Sequence, residues 1–375
     1  MVYASEAVAK PDDPALMKKL KWGILGSGRI THALVKGLAE SETGELHAVS
    51  SRTQESSDQW GEKYNLPKAK RYPSYAAMLA DDEIDAVYIA LMNDRHCELT
   101  VQAANAGKHI LCEKPLAMNH AEVLLMLEAC RANRVFLMEA FMWRCHPGTA
   151  EWLKLIREGA IGDVRIIEAQ FSFNMNGNPT GTRMINKLGG GGIMDVGCYT
   201  VSAARAIAGN AQGQDFAEPI EMHGYGHIGE TGVDEWATAT MRFPGDILAN
   251  LSCGLQVSQH NQVRIYGSKG RMVIPSPWFA DGKAIIQIGD EDREVAHSSA
   301  KSLYTHEVDM LGRCVGEGRL EAYAPAMTWA DSLGQQLTLD RWRKAVGVVF
   351  EGETLDKPPN NLPAQGHSNK ARENS

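Results

Sequence analysis

The chain has 375 residues, 44% of them hydrophobic and 22% charged, with a formal net charge of −8. Single cores stop growing at roughly 250–300 residues, so a chain of this length is expected to form two domains. The acidic balance, without a long basic run, argues against nucleic acid and anionic membrane as partners, and no stretch approaches the ~18 apolar residues of a membrane span.

Residues 1 to about 20 mix acids, prolines and lysines without an apolar segment, so they read as a polar arm rather than a secretory signal. Seven cysteines, an odd number without C-x-x-C spacing, suit a reducing compartment better than a disulfide framework, and the expected location is the cytoplasm. From Trp22 a regular alternation begins. A strand over 22–25, a glycine turn and a helix over about 30–40 are followed by a strand over 45–52 and a polar helix over 55–64. The run IDAVYIALM (84–92) is apolar throughout, as expected of a strand covered on both faces. A helix over about 97–106 leads into the strand HILCEK (109–114), then come a helix over 119–132 and a strand over 135–141. This series predicts an α/β chain whose residues 21–140 form a doubly wound parallel sheet of the Rossmann type.

Beyond 141 the pattern changes. After a helix over about 148–158, strands are expected over 163–173, 219–229, 234–243, 246–255, 262–267 and 283–289, with helices only around 199–208 and 305–317. Residues 141–355 therefore read as a second α/β domain with a large, mostly antiparallel sheet, and 356–375 as a polar, mobile tail.

Three motifs carry chemistry. The first, GILGSGRIT, places Gly26 and Gly28 between a strand and a helix. Here the backbone turns sharply and the helix N-terminus, at Arg29 and Ile30, offers N–H groups to a pyrophosphate. At the tip of the second strand, where an acid would bind the ribose of NAD, stand Ser51 and Arg52. A hydroxyl and a guanidinium suit a 2′-phosphate, so NADP is the expected cofactor, with NAD as the alternative. The second motif is Glu113-Lys114-Pro115 at the end of an interior strand. Ligands of such sheets sit outside the carboxyl ends of the strands, which also places Asn93 and His96 there; Lys114–Pro115 is a candidate cis bond. The third is NKLGGGGIMDVGCYT (186–200), in which Asp195 and Tyr199 stand four apart on one helix face.

In this order and at these intervals, the three motifs resemble the Gfo/Idh/MocA family, over roughly residues 21–350. The tyrosine at 199, MEAFMWRCHP (138–147) and NPTGTRM (178–184) are similar to the branch that holds glucose–fructose oxidoreductase, NADP-linked aldose dehydrogenases and dimeric dihydrodiol dehydrogenase. The resemblance implies a Rossmann domain, a second domain whose open sheet pairs subunits into a homodimer or homotetramer, and Lys114 beside the nicotinamide. Met92, where many relatives carry proline, and Thr31, at the third fingerprint position, depart from the pattern.

The expected function is hydride transfer between the cofactor and a hydroxyl of a cyclic sugar, polyol or diol. Tyr199 is read as general base in oxidation and acid in reduction, with the Lys114 ammonium drawing the phenol toward phenolate and Asp195 orienting the pair. Trp143, Arg144 and Arg183 are candidate substrate contacts, Asp234 and His306 weaker ones, and Glu113 a cofactor-side anchor. No metal site is expected, since His223 and His227 read as surface residues of a strand. The alternative reading is a glycoside hydrolase that oxidises a sugar hydroxyl transiently and recycles its cofactor; a non-catalytic nucleotide sensor is the third.

Overall fold

The computed structural model describes residues 18–177, 181–280, 283–288, 290–296 and 299–353. The arm up to residue 17, the tail from 354 and the first part of the 178–184 stretch lie outside them.

The first sheet has six parallel strands: β1 (Leu20–Leu25), β2 (Gly44–Ser50), β3 (Arg71–Tyr72), β4 (Ala86–Ile89), β5 (His109–Glu113) and β6 (Leu137–Ala140), in the order β3-β2-β1-β4-β5-β6. Successive side chains enter different cores. Ile24, Tyr88 and Leu111 pack with α1 (Thr31–Glu40) and α2 (Gln54–Lys63), whereas Leu25, Ile89 and Cys112 pack with α4 (His96–Asn105) and α5 (His120–Asn133). Burial on both faces is what the continuous apolar run at 84–92 encodes. The short α3 (Tyr75–Leu79) follows β3; neither was expected, two and five residues being too short for a period to emerge.

The second sheet has eight strands. They are β7 (Val164–Ser172), β8 (Glu221–Ile228), β9 (Asp234–Phe243), β10 (Ile247–Gly254), β11 (Val263–Gly267), β12 (Gly270–Ile274), β13 (Lys283–Ile288) and β14 (Glu291–Ala296). Their order is β14-β13-β12-β11-β7-β10-β9-β8, and only the β7–β10 pairing is parallel. Alternate residues such as Ala237, Ala239 and Met241 face inward, into a core shared with α6 (Pro147–Arg157) and α7 (Cys198–Asn210). The opposite face carries exposed Ile166, Trp236, Leu248 and Tyr225.

Two late helices return to the junction of the sheets. α8 (Leu303–Gly316) packs Val308 and Leu311 beside Leu34 and Leu38 of α1, on the first sheet. α9 (Trp329–Val346) was not expected at all. Its buried residues include Asp331, Ser332, Gln335, Gln336, Thr338 and Arg343, so burial does not follow hydrophobicity and the 3.6-residue apolar signal is diluted. Its ends are ordinary ones: Thr328 caps it by accepting from Asp331 N, and Gly347 closes it in the left-handed region at φ +89°.

Candidate active site

After β1 the chain turns through Gly26-Ser27-Gly28 into α1. Gly26 has φ +109°, and a Cβ there would come 2.6 Å from the Ala90 carbonyl, so dihedral and surroundings both require glycine. A Cβ on Gly28 would meet nothing within 4 Å, so the turn opens onto free space. No side chain caps α1; the N–H groups of Thr31, His32 and Ala33 donate to the carbonyls of Gly28, Arg29 and Ile30, a tight first turn that sets the glycine turn ahead of it beside that space. Arg29 and Ile30 are exposed beside it. Thr31, the departure from the fingerprint, is fully buried. Its hydroxyl donates to the Gly28 carbonyl at 2.6 Å and accepts from the Trp60 indole N–H at 2.9 Å, pinning the turn to α2. The cradle fits a dinucleotide pyrophosphate.

At the tip of β2, the Ser51 hydroxyl lies 3.2 Å from that of Ser27, across from the turn. Arg52 is exposed and forms no ion pair among the described residues. Beyond β4, Asn93 donates to the Gly189 carbonyl at 2.8 Å, joining the first sheet to the glycine run. His96 is placed differently from expectation. It is fully buried between the Pro115 carbonyl (Nδ1, 3.0 Å) and the Leu91 carbonyl (Nε2, 3.2 Å), and burial lowers its pKa to about 4. It braces the lysine loop and does not reach the open space.

The strand β5 ends in Glu113, whose carboxylate accepts from the Tyr88 hydroxyl; burial raises its pKa, and the Lys114 charge pulls it back. The Lys114–Pro115 peptide is cis. Lys114 Nζ donates to the Asp195 carbonyl at 2.8 Å, lies 3.3 Å from Asp195 Oδ1, and sits 5.0 Å from the centre of the Tyr199 ring. Burial works to lower its pKa, but the Asp195 charge prevails and the ammonium is held above its usual range. Asp195 Oδ2 accepts from Arg183 Nε at 2.6 Å, so this carboxylate lies between two cations. Below the lysine loop, Glu139 accepts from Leu116 N at 3.0 Å and from the Ser332 hydroxyl at 2.7 Å.

Asp195 belongs to a π-helical turn, Ile193–Gly197, that runs directly into α7. Such single wide turns concentrate at functional sites. Tyr199, on the next turn, is 5% exposed, edge-on to Phe141 (5.2 Å), Phe171 (5.1 Å) and Trp278 (5.6 Å), with its hydroxyl 3.4 Å from Met142 Sδ. Burial, and after it the Glu113 charge, pushes the phenol well above its usual pKa. This corrects the expectation that Lys114 draws it toward phenolate: the ammonium lies over the ring face, and Tyr199 stays neutral. The aromatic box was not expected, because its members come from separate segments: Phe141 after β6, Phe171 on β7 and Trp278 between β12 and β13.

Two expected substrate contacts are turned inward. Trp143 is fully buried and stacked on Trp152 at 6.2 Å between ring centres. Arg144 is 1% exposed, bonded to Asp331 Oδ2 (2.6 Å), the Ser202 hydroxyl (2.9 Å) and the Pro325 carbonyl. Asp331 also holds Arg205 at 2.5 Å, so a guanidinium expected in the cleft is a strut under α7. His306 is likewise held away, its Nε2 2.9 Å from the Ser299 hydroxyl. The cluster His47, Asp81 and Glu83 has metal-like spacing, but Lys70 already pairs with both acids.

Comparisons with known proteins bear on this geometry. Residues 20–141 match the model of an oxidoreductase family with an NAD-binding Rossmann fold, and residues 150–273 match the Gfo/Idh/MocA C-terminal domain. Trans-1,2-dihydrobenzene-1,2-diol dehydrogenase of Xenopus laevis is 32% identical, over 88% of this chain and 99% of the relative. Among solved structures, an aldose–aldose oxidoreductase from Caulobacter crescentus, complexed with glycerol, superposes with a TM-score of 0.79 at 28% identity, covering 88% of this chain and 98% of that one. A 3-ketoreductase from Actinomadura kijaniata shares the fold with the same coverage, at a TM-score of 0.75 and 23% identity.

Proposed function

The chain belongs to the Gfo/Idh/MocA family of oxidoreductases with an NAD-binding Rossmann fold, and we propose that it transfers hydride between NADP(H) and a hydroxyl-bearing carbon of a cyclic sugar, polyol or diol. The observation that carries this reading is the Lys114 ammonium, anchored by Asp195 and poised over the Tyr199 ring. Likeness to a diol dehydrogenase and an aldose oxidoreductase supports the substrate class.

Gly28, Arg29 and Arg52 would hold a nicotinamide dinucleotide, which when bound would supply or accept the hydride. Arg29 beside the turn and Arg52 at the tip of β2, neither in an ion pair among the described residues, favour the 2′-phosphate of NADP. Protonated Lys114 and neutral Tyr199 are both donors toward a substrate oxygen. In reduction, Tyr199 gives its proton to that oxygen as the carbonyl carbon gains hydride, and Lys114 stabilises the developing alkoxide. In oxidation the phenol first loses its proton to solvent, and the phenolate then takes the substrate hydroxyl proton as the carbinol carbon gives up hydride. Arg183, half-exposed beside Asp195, is the remaining candidate for a second substrate hydroxyl.

Recycling hydrolysis needs more. After the hydroxyl is oxidised, a base must take the proton from the neighbouring carbon before the aglycone leaves. The acids beside Lys114 are already engaged, Asp195 by Lys114 and Arg183 and Glu113 by Tyr88, which favours net oxidoreduction. The open face of the second sheet, with Ile166, Leu248, Trp236 and Tyr225, supports a homodimer or homotetramer. Seven free cysteines support a reducing, cytoplasmic setting, and no described helix is long and apolar enough to cross a membrane.

The test is NADP+ and NAD+ reduction, followed by fluorescence, against aldoses, polyols, cyclic diols and glycosides with product analysis. Reduced cofactor accumulating over many turnovers supports the proposal. Aglycone release without net cofactor reduction overturns it in favour of the hydrolase.

A further inference from the structure

The run Gly189-Gly190-Gly191-Gly192 has a physical reason, and it lies mostly outside the cleft. Gly191 has φ +111°, and a Cβ there would run into Oδ1 of Asp234. A Cβ on Gly192, whose backbone is ordinary, would come 3.0 Å from Oδ2 of the same carboxylate. Two consecutive glycines thus form the wall of a seat for one side chain. Asp234 opens β9 and is fully buried. Its Oδ2 accepts the Ile193 N–H at 2.7 Å, and its Oδ1 has no hydrogen-bond partner among the described residues.

Ile193 is the first residue of the helical run that continues to Asn210, and Asp195 and Tyr199 follow two and six residues later. No side chain of its own caps this run. A carboxylate from another strand takes that place, with its charge at the positive end of the helix. We propose that Asp234 is a positioning residue for the reacting pair: the glycine run is shaped to its carboxylate, which fixes the start of the helix and so sets Asp195 and Tyr199 against Lys114. The inference rests on the reading of Asp195 and Tyr199 given above.

The seat is titratable. Burial raises the Asp234 pKa to about 7, opposed by the N–H groups of Ile193, Asp234 itself and Gly192 and by the Arg343 charge from α9. Arg343 is itself bound to Glu353 and Asp340, and from β10 the group acting with Asp234 is the Cys253 thiol, kept neutral by burial. Above pH 7 the carboxylate accepts the Ile193 N–H as a charge-assisted bond. Below it, the carboxyl sheds its burial cost but holds that N–H more weakly and brings a donor against the glycine wall.

Asp234→Asn keeps an acceptor for Ile193 and cannot titrate. In the native protein, kcat for reduction is expected to fall as pH drops through about 7, whereas the hydrogen-exchange protection of the 193–199 segment, corrected for intrinsic exchange, is expected to rise, because opening the seat returns the carboxyl to water, where its pKa is lower. In Asp234→Asn both of these dependences are expected to vanish, with kcat for reduction lowered about tenfold to a hundredfold and NADPH affinity by fluorescence unchanged. Gly192→Ala, which crowds the same oxygen without straining the backbone, is expected to lower kcat and protection and serves if the Asn variant fails to fold. Persistence of the acid limb in Asp234→Asn, or protection of 193–199 unmoved by both substitutions, overturns the proposal. Exchange needs no substrate, so it decides the role of Asp234 even if the assumed oxidoreduction proves wrong.

Discussion

Replacing Lys114 by methionine isolates the ammonium from the length of the side chain. In the resting site the ammonium is anchored by the Asp195 carbonyl at 2.8 Å and Oδ1 at 3.3 Å, which leaves it a third N–H for a substrate oxygen. Losing one preorganised donor at a developing oxyanion costs about 2.7–4 kcal/mol, so kcat should fall about 10²–10³-fold. Stability should change by no more than about 1 kcal/mol, because Asp195 keeps its 2.6 Å contact with Arg183 and is not left as an unpaired charge. The assay is steady-state reduction with NADPH and oxidation with NADP+, beside NADPH titration by fluorescence and a urea midpoint. The reasoning predicts a loss in kcat with cofactor affinity and midpoint nearly intact. Turnover within about threefold of the native enzyme would refute it, and a collapse in cofactor affinity would place Lys114 in cofactor binding instead.

The remaining predictions follow from the charges of the site. Because burial holds the Tyr199 phenol protonated well beyond its usual range, oxidation, which needs the phenolate, should speed up about tenfold per pH unit above neutrality, while the phenol step of reduction stays level; oxidation that is flat between pH 7 and 9 removes Tyr199 from the proton step. Arg52→Glu should weaken NADPH binding about tenfold to a hundredfold, the worth of a charge-assisted bond, and raise the relative affinity for NADH; equal NADPH affinity in both proteins sinks the 2′-phosphate assignment. Asp331→Asn should cost about 3 kcal/mol by urea unfolding, since Arg144 and Arg205 lose a shared counterion that only Glu218 partly replaces; a cost below about 1 kcal/mol means that the arginines relax to other partners.

The parallel sheet was legible because its strands are buried on both faces, and runs such as Ala86–Ile89 leave no other reading. Gly26, Lys114, Asp195 and Tyr199 were legible because their positions are local: a turn after a strand, a strand tip, a helix face. Positions set by partners distant in sequence were not. Whether Arg144 faces the cleft or the interior depends on Asp331, 187 residues away, and Asp331 sits on a helix the periodicity did not reveal. His96 failed in the same way, since its partner is the carbonyl of Pro115. The pKa of Tyr199 was misjudged because proximity to Lys114 was inferred without geometry. The ammonium lies over the ring face, and burial of the phenol decides its pKa.

The illegible helix and the legible site turn out to be connected. α9 carries one buried polar residue for each piece that must be held. Asp331 binds Arg205 of α7, and Gln335 donates to the Cys198 carbonyl, one residue before Tyr199. Ser332 donates to Glu139, which in turn accepts the Leu116 N–H beyond the lysine. Arg343 donates to the Met118 carbonyl at the end of the same loop. Lys114 comes from the first sheet and Tyr199 from a helix on the second, so their separation depends on an element that binds both. Apolar contacts alone would tolerate sliding, whereas directional bonds fix register. The polarity that hides α9 from a search for hydrophobic stripes is therefore what lets it set the distance between Lys114 and Tyr199.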